Sequence, residues 1–425
     1  MNVDYGKITG LFIKENAMPR YDILFKEITS IIENDYAGYE EKKEKHHPRF
    51  YVHAVGQAYK DRRLNELLFL QYMSQYLITL QDYHLHLQLN DSETYTSGTL
   101  GFMTRRVDEY LYVTEVNEEE RLQVGDVILE INGKSPKYHR DHIVQNIFGS
   151  DISYDENFNG LLKMANHMKV RHVDGSEEVL EIKKYKPTTV KTNTISTVGH
   201  QEVLTINHLD ETAVNLLQQV KNTNVVIDLR HCLDGDMESV FAYVNQISQK
   251  EVSLKELMKE EGFYTNFTTR NCEYKCKELE YLFSHVEDEY QPMVQEMIDD
   301  YKSKSGQGWL YDASLDIEND EVIGGNSKFN VTFLVDCYTA NAGEWLVYLA
   351  RKVCDCKVVG RSTSGMFNYS NEVSVFYDEK FLFQYPMSKR KEVYESHECK
   401  GIEPDTCIPF TVEECTSDIL LNQVI

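Results

Sequence analysis

The stretch Asn330-Val331-Thr332-Phe333-Leu334-Val335-Asp336-Cys337-Tyr338-Thr339-Ala340-Asn341-Ala342-Gly343-Glu344-Trp345-Leu346-Val347-Tyr348-Leu349-Ala350-Arg351 decides the fold. Its opening, 330–336, is an apolar, β-branched run that reads as a buried strand, and 344–351 places apolar residues at helical spacing. Between them Thr339 to Glu344 must turn a strand directly into a helix. Such an elbow presents its central residue at the helix N-terminus, where free N–H groups and the helix dipole favour a developing negative charge. A serine there is a catalytic signature. Here the residue is Asn341, which caps a helix as well as serine does, with Glu344 three residues on as the reciprocal partner of a capping box.

Working outward, Asn224-Val225-Val226-Ile227-Asp228-Leu229-Arg230 is another continuous apolar run of the buried parallel-sheet type, followed by a helical stretch from Met237 to Ile247. Lys357-Val358-Val359-Gly360 adds a short strand. Strands alternating with helices predict an α/β core over 190–425, interrupted by a charged, helical insertion at about 250–305. Residues 1–92 read as a helical domain, because Tyr21 to Ile32 and Leu64 to Leu70 carry apolar stripes of 3.6-residue period. Residues 97–186 change to short alternating strands and turns. The expected architecture is therefore multi-domain α/β.

Composition narrows the function. The chain has 425 residues, 41% hydrophobic and 27% charged, enough for more than one packed core. Its formal charge of −25 and its lack of a dense Lys/Arg cluster argue against nucleic acid and anionic membrane as partners. The first residues show no basic segment followed by an apolar one, and no run reaches the roughly 20 apolar residues of a membrane span, so a cytoplasmic protein is expected. The 9 cysteines then read as reduced thiols. Cys272-x-x-x-Cys276 and Cys354-x-Cys356 lack zinc-knuckle spacing and an accompanying His pair, so no metal and no cofactor are expected.

Taken in order, Gln81-Asp82-Tyr83-His84, the segment from Gly98 to Gly133, Asp228-Leu229-Arg230 with Gly235, Thr339 to Glu344, Gly360 to Gly365, and Glu398 to Asp405 resemble the tail-specific, or C-terminal-processing, serine peptidases, in catalytic detail the tricorn-like branch. The resemblance implies a mixed α/β peptidase core of the ClpP/crotonase-like type that cuts unstructured polypeptides or C-terminal tails. It also implies a PDZ-like module at 97–186, whose loop Gly98, Leu100, Gly101 and Phe102 would capture a peptide C-terminus while the peptide adds a strand to the sheet edge. Peptide C-termini are then the expected partners, and a homo-oligomer stays open. The family's Ser-Lys dyad is absent, since the lysine position falls at Met366. In the tricorn-like pattern His84 matches the general base, Glu398 the carboxylate that orients it, and Gly235 and Ala342 the oxyanion donors, while the serine maps to Asn341.

A carboxamide nitrogen is not a nucleophile, because its lone pair is delocalised and no histidine deprotonates it. In the oxyanion loop Cys232 and Asp234 replace an asparagine and a glycine, and a carboxylate beside that site opposes the charge it must stabilise. The favoured reading is an impaired or inactive peptidase that binds peptides. The alternative is an active serine-type or cysteine-type endopeptidase using another nucleophile, with Cys337, Thr339, Ser362, Ser364 and Ser370 nearby in sequence. A single inactivating change at 341 in an otherwise active enzyme fits poorly with the altered 228–235 loop. Out of context, His84 would read as a satisfied core histidine and Glu398 as a solvated surface charge.

Overall fold

A computed structural model describes residues 21–89, 99–142, 152–186, 191–312, 321–377 and 380–425. At its centre is a six-stranded sheet in the order Thr406–Cys407, Lys357–Gly360, Asn330–Val335, Asn224–Asp228, Gln201–Thr205, Thr194–Val198. All neighbours run parallel except the last pair. The strands read from their apolar runs are buried on both faces. Val225, Ile227, Val331, Phe333 and Val335 meet the helices Met237–Ile247 and Ala342–Val353, while Val226, Leu334 and Val359 meet Leu421 and Val424 from the C-terminus. Parallel pairing forces crossovers, and these bring each helix start to the carboxyl ends of the strands.

A second, five-stranded sheet joins distant parts of the chain. His86–Leu89, Phe381–Arg390, Phe263–Phe267 and Gly308–Asp312 lie side by side, and Tyr369–Tyr377 also pairs with Phe381–Arg390. On it pack the helices Tyr21–Asn34, Pro48–Lys60 and Glu66–Ile78. Their Phe25, Ile28, Tyr51, Phe69 and Tyr76 share one core with Phe267, Val373, Phe381 and Phe383. The amphipathic stripes of the N-terminal helices are thus closed by strands from the far end of the sequence.

The 250–305 region differs from the helical reading. It contains the helices Leu254–Met258, Thr269–Phe283 and Gln291–Lys304, but also the strand Phe263-Tyr264-Thr265-Asn266-Phe267 in the interior of the second sheet. An aromatic and β-branched run that short is outweighed by its charged neighbours in any helical window.

The third sheet is antiparallel, with strands Phe102–Val107, Tyr110–Val116, Val127–Ile131, His167–Arg171 and Glu177–Glu181 in sequence order. It closes its own core with Phe158 and Leu162.

Candidate active site

The elbow forms as the alternation of strand and helix requires. Asn341 has φ 45° and ψ −109°, and the helix Ala342–Val353 starts directly after it. The turn is held from below. Thr339 Oγ1 donates to Leu229 O at 2.9 Å, Ala340 N to Cys232 O at 2.9 Å, and Asp336 N to Thr339 Oγ1 at 3.1 Å. The 228–235 loop is therefore stitched to the elbow.

From the helix side, the fully buried Glu344 carboxylate accepts from Asn341 N at 3.1 Å, Thr363 Oγ1 at 2.5 Å, Ser364 Oγ at 3.0 Å, Gly365 N at 2.6 Å and Phe367 N at 3.0 Å. Burial pushes its carboxyl up from the ordinary range, with these donors working in the opposite direction. The sequence marks Glu344 only as a cap. The side chain also fastens the 363–367 loop to the elbow, a role that spacing along one helix cannot reveal.

His84 is 5% exposed and precedes the strand His86–Leu89. Asp82 beside it accepts from His84 N at 3.0 Å and from the Tyr36 hydroxyl at 2.6 Å. Burial works against its charge, but nearby His84 and Lys42 and the Tyr36 hydroxyl outweigh that and hold the Asp82 carboxyl below its usual value. His84 Nδ1 lies 3.7 Å from Asp82 Oδ1 and has no hydrogen-bond partner, an expensive state for a buried ring nitrogen. Tyr36, which no motif flagged, fixes the carboxylate from 46 residues away in sequence. His86 Nε2, by contrast, is bonded to Gln384 Oε1 across the sheet at 2.8 Å.

A cleft of about 490 Å3 gathers these segments: Asp82, Tyr83, Leu85 and His86 line it, with Cys337, Ser362, Thr363 and Ser364 from the elbow side, Asp155, and Cys399 beside Glu398. His84, Asn341 and Glu398 lie next in sequence to lining residues or near them but do not line the cleft themselves, and no hydrogen bond joins their side chains. Glu398 is exposed and bonded to Lys400 Nζ at 2.6 Å, which holds its carboxyl below the usual value.

The expected oxyanion donors sit beside the elbow in different states. Gly235 N donates to Asp234 Oδ1 at 2.7 Å, so the substituted carboxylate already occupies that amide. A Cβ at Gly235 would come within 2.5 Å of Leu209 O, so only glycine fits there. Ala342 is buried at the first position of the helix.

The other nucleophile candidates are engaged. Thr339 is fully buried and hydrogen-bonded as described, and Ser364 donates to Glu344. Ser362 donates to Glu403 Oε1 at 3.1 Å. Cys337 Sγ accepts from Arg105 Nη1 at 3.6 Å, and burial, followed by the charge of Asp336, pushes its thiol well up. Ser370, the second residue of the strand Tyr369–Tyr377, lies opposite Ser388 in the second sheet.

In the antiparallel sheet Gly98 lies outside the described residues. Leu100 and Phe102 are core side chains, and Gly101, with φ 74°, accepts through its carbonyl from Asn117 N at 2.7 Å and Glu119 N at 3.2 Å. Two side chains of the edge strand Phe102–Val107, where a peptide would add, are tied to other parts of the chain. Arg105 bonds Asp155 at 2.9 Å and Asp336 at 2.7 Å, and Arg106 Nη2 bonds Glu156 at 3.0 Å. Among the described residues no group of His, Cys, Asp and Glu that could hold a metal ion is present, and no helix is long and apolar enough to cross a membrane.

Comparison with known proteins adds three findings. The profile of Peptidase family S41 matches residues 202–408. Among solved structures, mature CPAF superposes with a TM-score of 0.61 at 11% identity over 95% of both chains. Mature CPAF complexed with lactacystin gives 0.59 at 12% identity over 95% of this chain and 97% of the other. At this identity they establish a shared fold. Among curated proteins none matches the sequence.

Proposed function

Residues 202–408 make this chain a member of peptidase family S41, the tail-specific peptidases, and from that premise we propose that it holds polypeptide tails in its cleft without cutting them efficiently. The carrying observation is Asn341 at a strand-to-helix elbow that is otherwise built for a nucleophile, with φ 45° and ψ −109°.

The chemistry follows from the residues. Acyl transfer needs an oxygen or sulfur whose proton a base removes near neutral pH, and His84 beside Asp82 is suited to be that base. With a carboxamide at 341 there is no proton that a histidine can take and no free lone pair to attack a carbonyl carbon. Loss of a triad serine costs about a million-fold in turnover. The bond from Gly235 N to Asp234 Oδ1 compounds the loss, because a carbonyl oxygen turning anionic would have to displace a carboxylate from its donor. The cleft retains what binding requires: apolar Leu77, Ile78, Leu85 and Leu87 interspersed with Lys42, Lys45 and serine hydroxyls.

The test is cleavage of an unfolded protein with a free C-terminus by the wild-type chain, Asn341→Ser, and Asn341→Ser with His84→Ala. Cutting by the single variant alone is expected, and adding Asp234→Gly to it should raise the rate by about 100-fold. Cutting by the wild-type chain overturns the proposal. It would then favour a cysteine-type enzyme, since Cys337 and Cys399 both line the cleft, and a thiol-directed label would identify which.

A further inference from the structure

Away from the cleft, the elbow helix Ala342–Val353 ends at Cys354, and the strand Lys357–Gly360 begins one residue after Cys356. Cys354 has extended dihedrals, φ −140° and ψ 160°, and its amide and its thiol both donate to Ala350 O, at 2.9 and 3.2 Å. In an extended stretch, side chains two positions apart fall on the same side. Cys354 belongs to the core beneath the central sheet, and Cys356 packs against that same core. Cys354 is buried and Cys356 half-exposed, so Cys356 is the more accessible of the two.

We propose that Cys354 and Cys356 form a reversible oxidation site, in which a hydroperoxide oxidises Cys356 and Cys354 resolves it to an intrachain disulfide. In the first step the Cys356 thiolate attacks the terminal oxygen of hydrogen peroxide. The S–O bond forms, the O–O bond breaks, and hydroxide leaves to give the sulfenic acid. In the second, the Cys354 sulfur attacks the Cys356 sulfur, the S–O bond breaks, the S–S bond forms, and the Cys354 proton departs with the hydroxyl as water. The peroxide is reduced by two electrons and the dithiol oxidised by two. Two trans peptide units span at most about 7 Å, and a disulfide takes Cα atoms about 4.4–6.8 Å apart, so a Cys-x-Cys spacing is within reach of the bond once the chain between is less than fully stretched.

The ionisation pattern agrees with these roles. The neighbouring Cys354 thiol, against the opposing effect of burial and with the Arg351 guanidinium adding to it, holds the Cys356 thiol below its ordinary value. The neighbouring Cys356 and burial push Cys354 up, as suits the proton-bearing partner. Cys272 and Cys276 give the contrast: burial raises both, the first to about 11, and neither is poised to react.

The experiment oxidises the folded wild-type chain with hydrogen peroxide, quenches, denatures, alkylates with iodoacetamide and maps peptides by mass. The expected result is a peptide lighter by two hydrogens and unalkylated at both 354 and 356, returned to full alkylation by dithiothreitol. Cys354→Ser should stop at a dimedone-reactive sulfenic acid on Cys356, and Cys356→Ser should leave Cys354 fully alkylatable. Full alkylation of both cysteines in the oxidised wild-type chain, while the exposed Cys407 reacts, overturns the proposal. So does direct passage of Cys356 to sulfinic acid without a disulfide. The wild-type measurement decides even if a variant does not fold.

Discussion

At position 341 the backbone adopts φ 45° and ψ −109°, a conformation that costs a non-glycine residue about 1–3 kcal/mol and persists only where its surroundings enforce it. Glu344 supplies much of that enforcement, with every donor around it aimed at a carboxylate. Glu344→Gln would set an amide N–H2 against N–H donors. We expect a loss of about 3 kcal/mol in urea unfolding, against near-neutrality if the clamp were incidental. Asn341 and Glu344 were visible in the sequence because a cap and its partner lie three residues apart. The hold of Glu344 on 363–367, and that of Tyr36 on Asp82, bridge 19 and more residues and leave no periodic trace.

Among the elements, those buried on both faces were the most legible. Asn224–Asp228, Asn330–Val335 and Lys357–Gly360 are apolar without interruption because helices cover one side and the C-terminus the other. Phe263–Phe267 escaped notice because its identity depends on Phe381–Arg390, a strand more than a hundred residues later. The antiparallel sheet offers a test of its own at this scale. His172 Nδ1 meets Asp126 at 2.9 Å and Nε2 meets Glu178 at 2.9 Å, joining the turn at 123–126 to the hairpin at 172–178. Burial disfavours the charged ring, but the Asp126 and Glu178 carboxylates outweigh it and hold the His172 pKa above its ordinary value. A raised histidine stabilises the fold fully below the unfolded pKa of about 6.5, and that contribution fades as pH climbs through the higher folded value. The melting-temperature gap between wild type and His172→Gln should therefore be widest near about pH 5.5 and narrow toward about pH 8. A gap independent of pH would show that the ring acts only by packing.

Across the whole molecule, the buried ion pair of Glu41 and Lys389, at 2.7 Å, spans nearly the full sequence. Lys389 also lies 4.7 Å from the Trp309 ring. Removing one partner strands a charge in the interior, so Glu41→Gln or Lys389→Ala should each cost about 3–5 kcal/mol, whereas Glu41→Leu with Lys389→Met should recover most of it. Urea titration of the four proteins checks this, and equal losses in singles and double would mean that packing rather than charge holds the junction.

That junction also sets a timetable. Residue 41 must wait for residue 389, and the helices from Tyr21 to Ile78 for the strand Phe381–Arg390, before either surface is covered. On a ribosome adding about 5–20 residues each second, the apolar N-terminal helices emerge tens of seconds before their partner strand. Nascent chains of this protein should therefore depend on chaperones until synthesis is nearly complete, and refolding of the full chain from denaturant should be slow, as expected where contacts join the two ends of a long polymer.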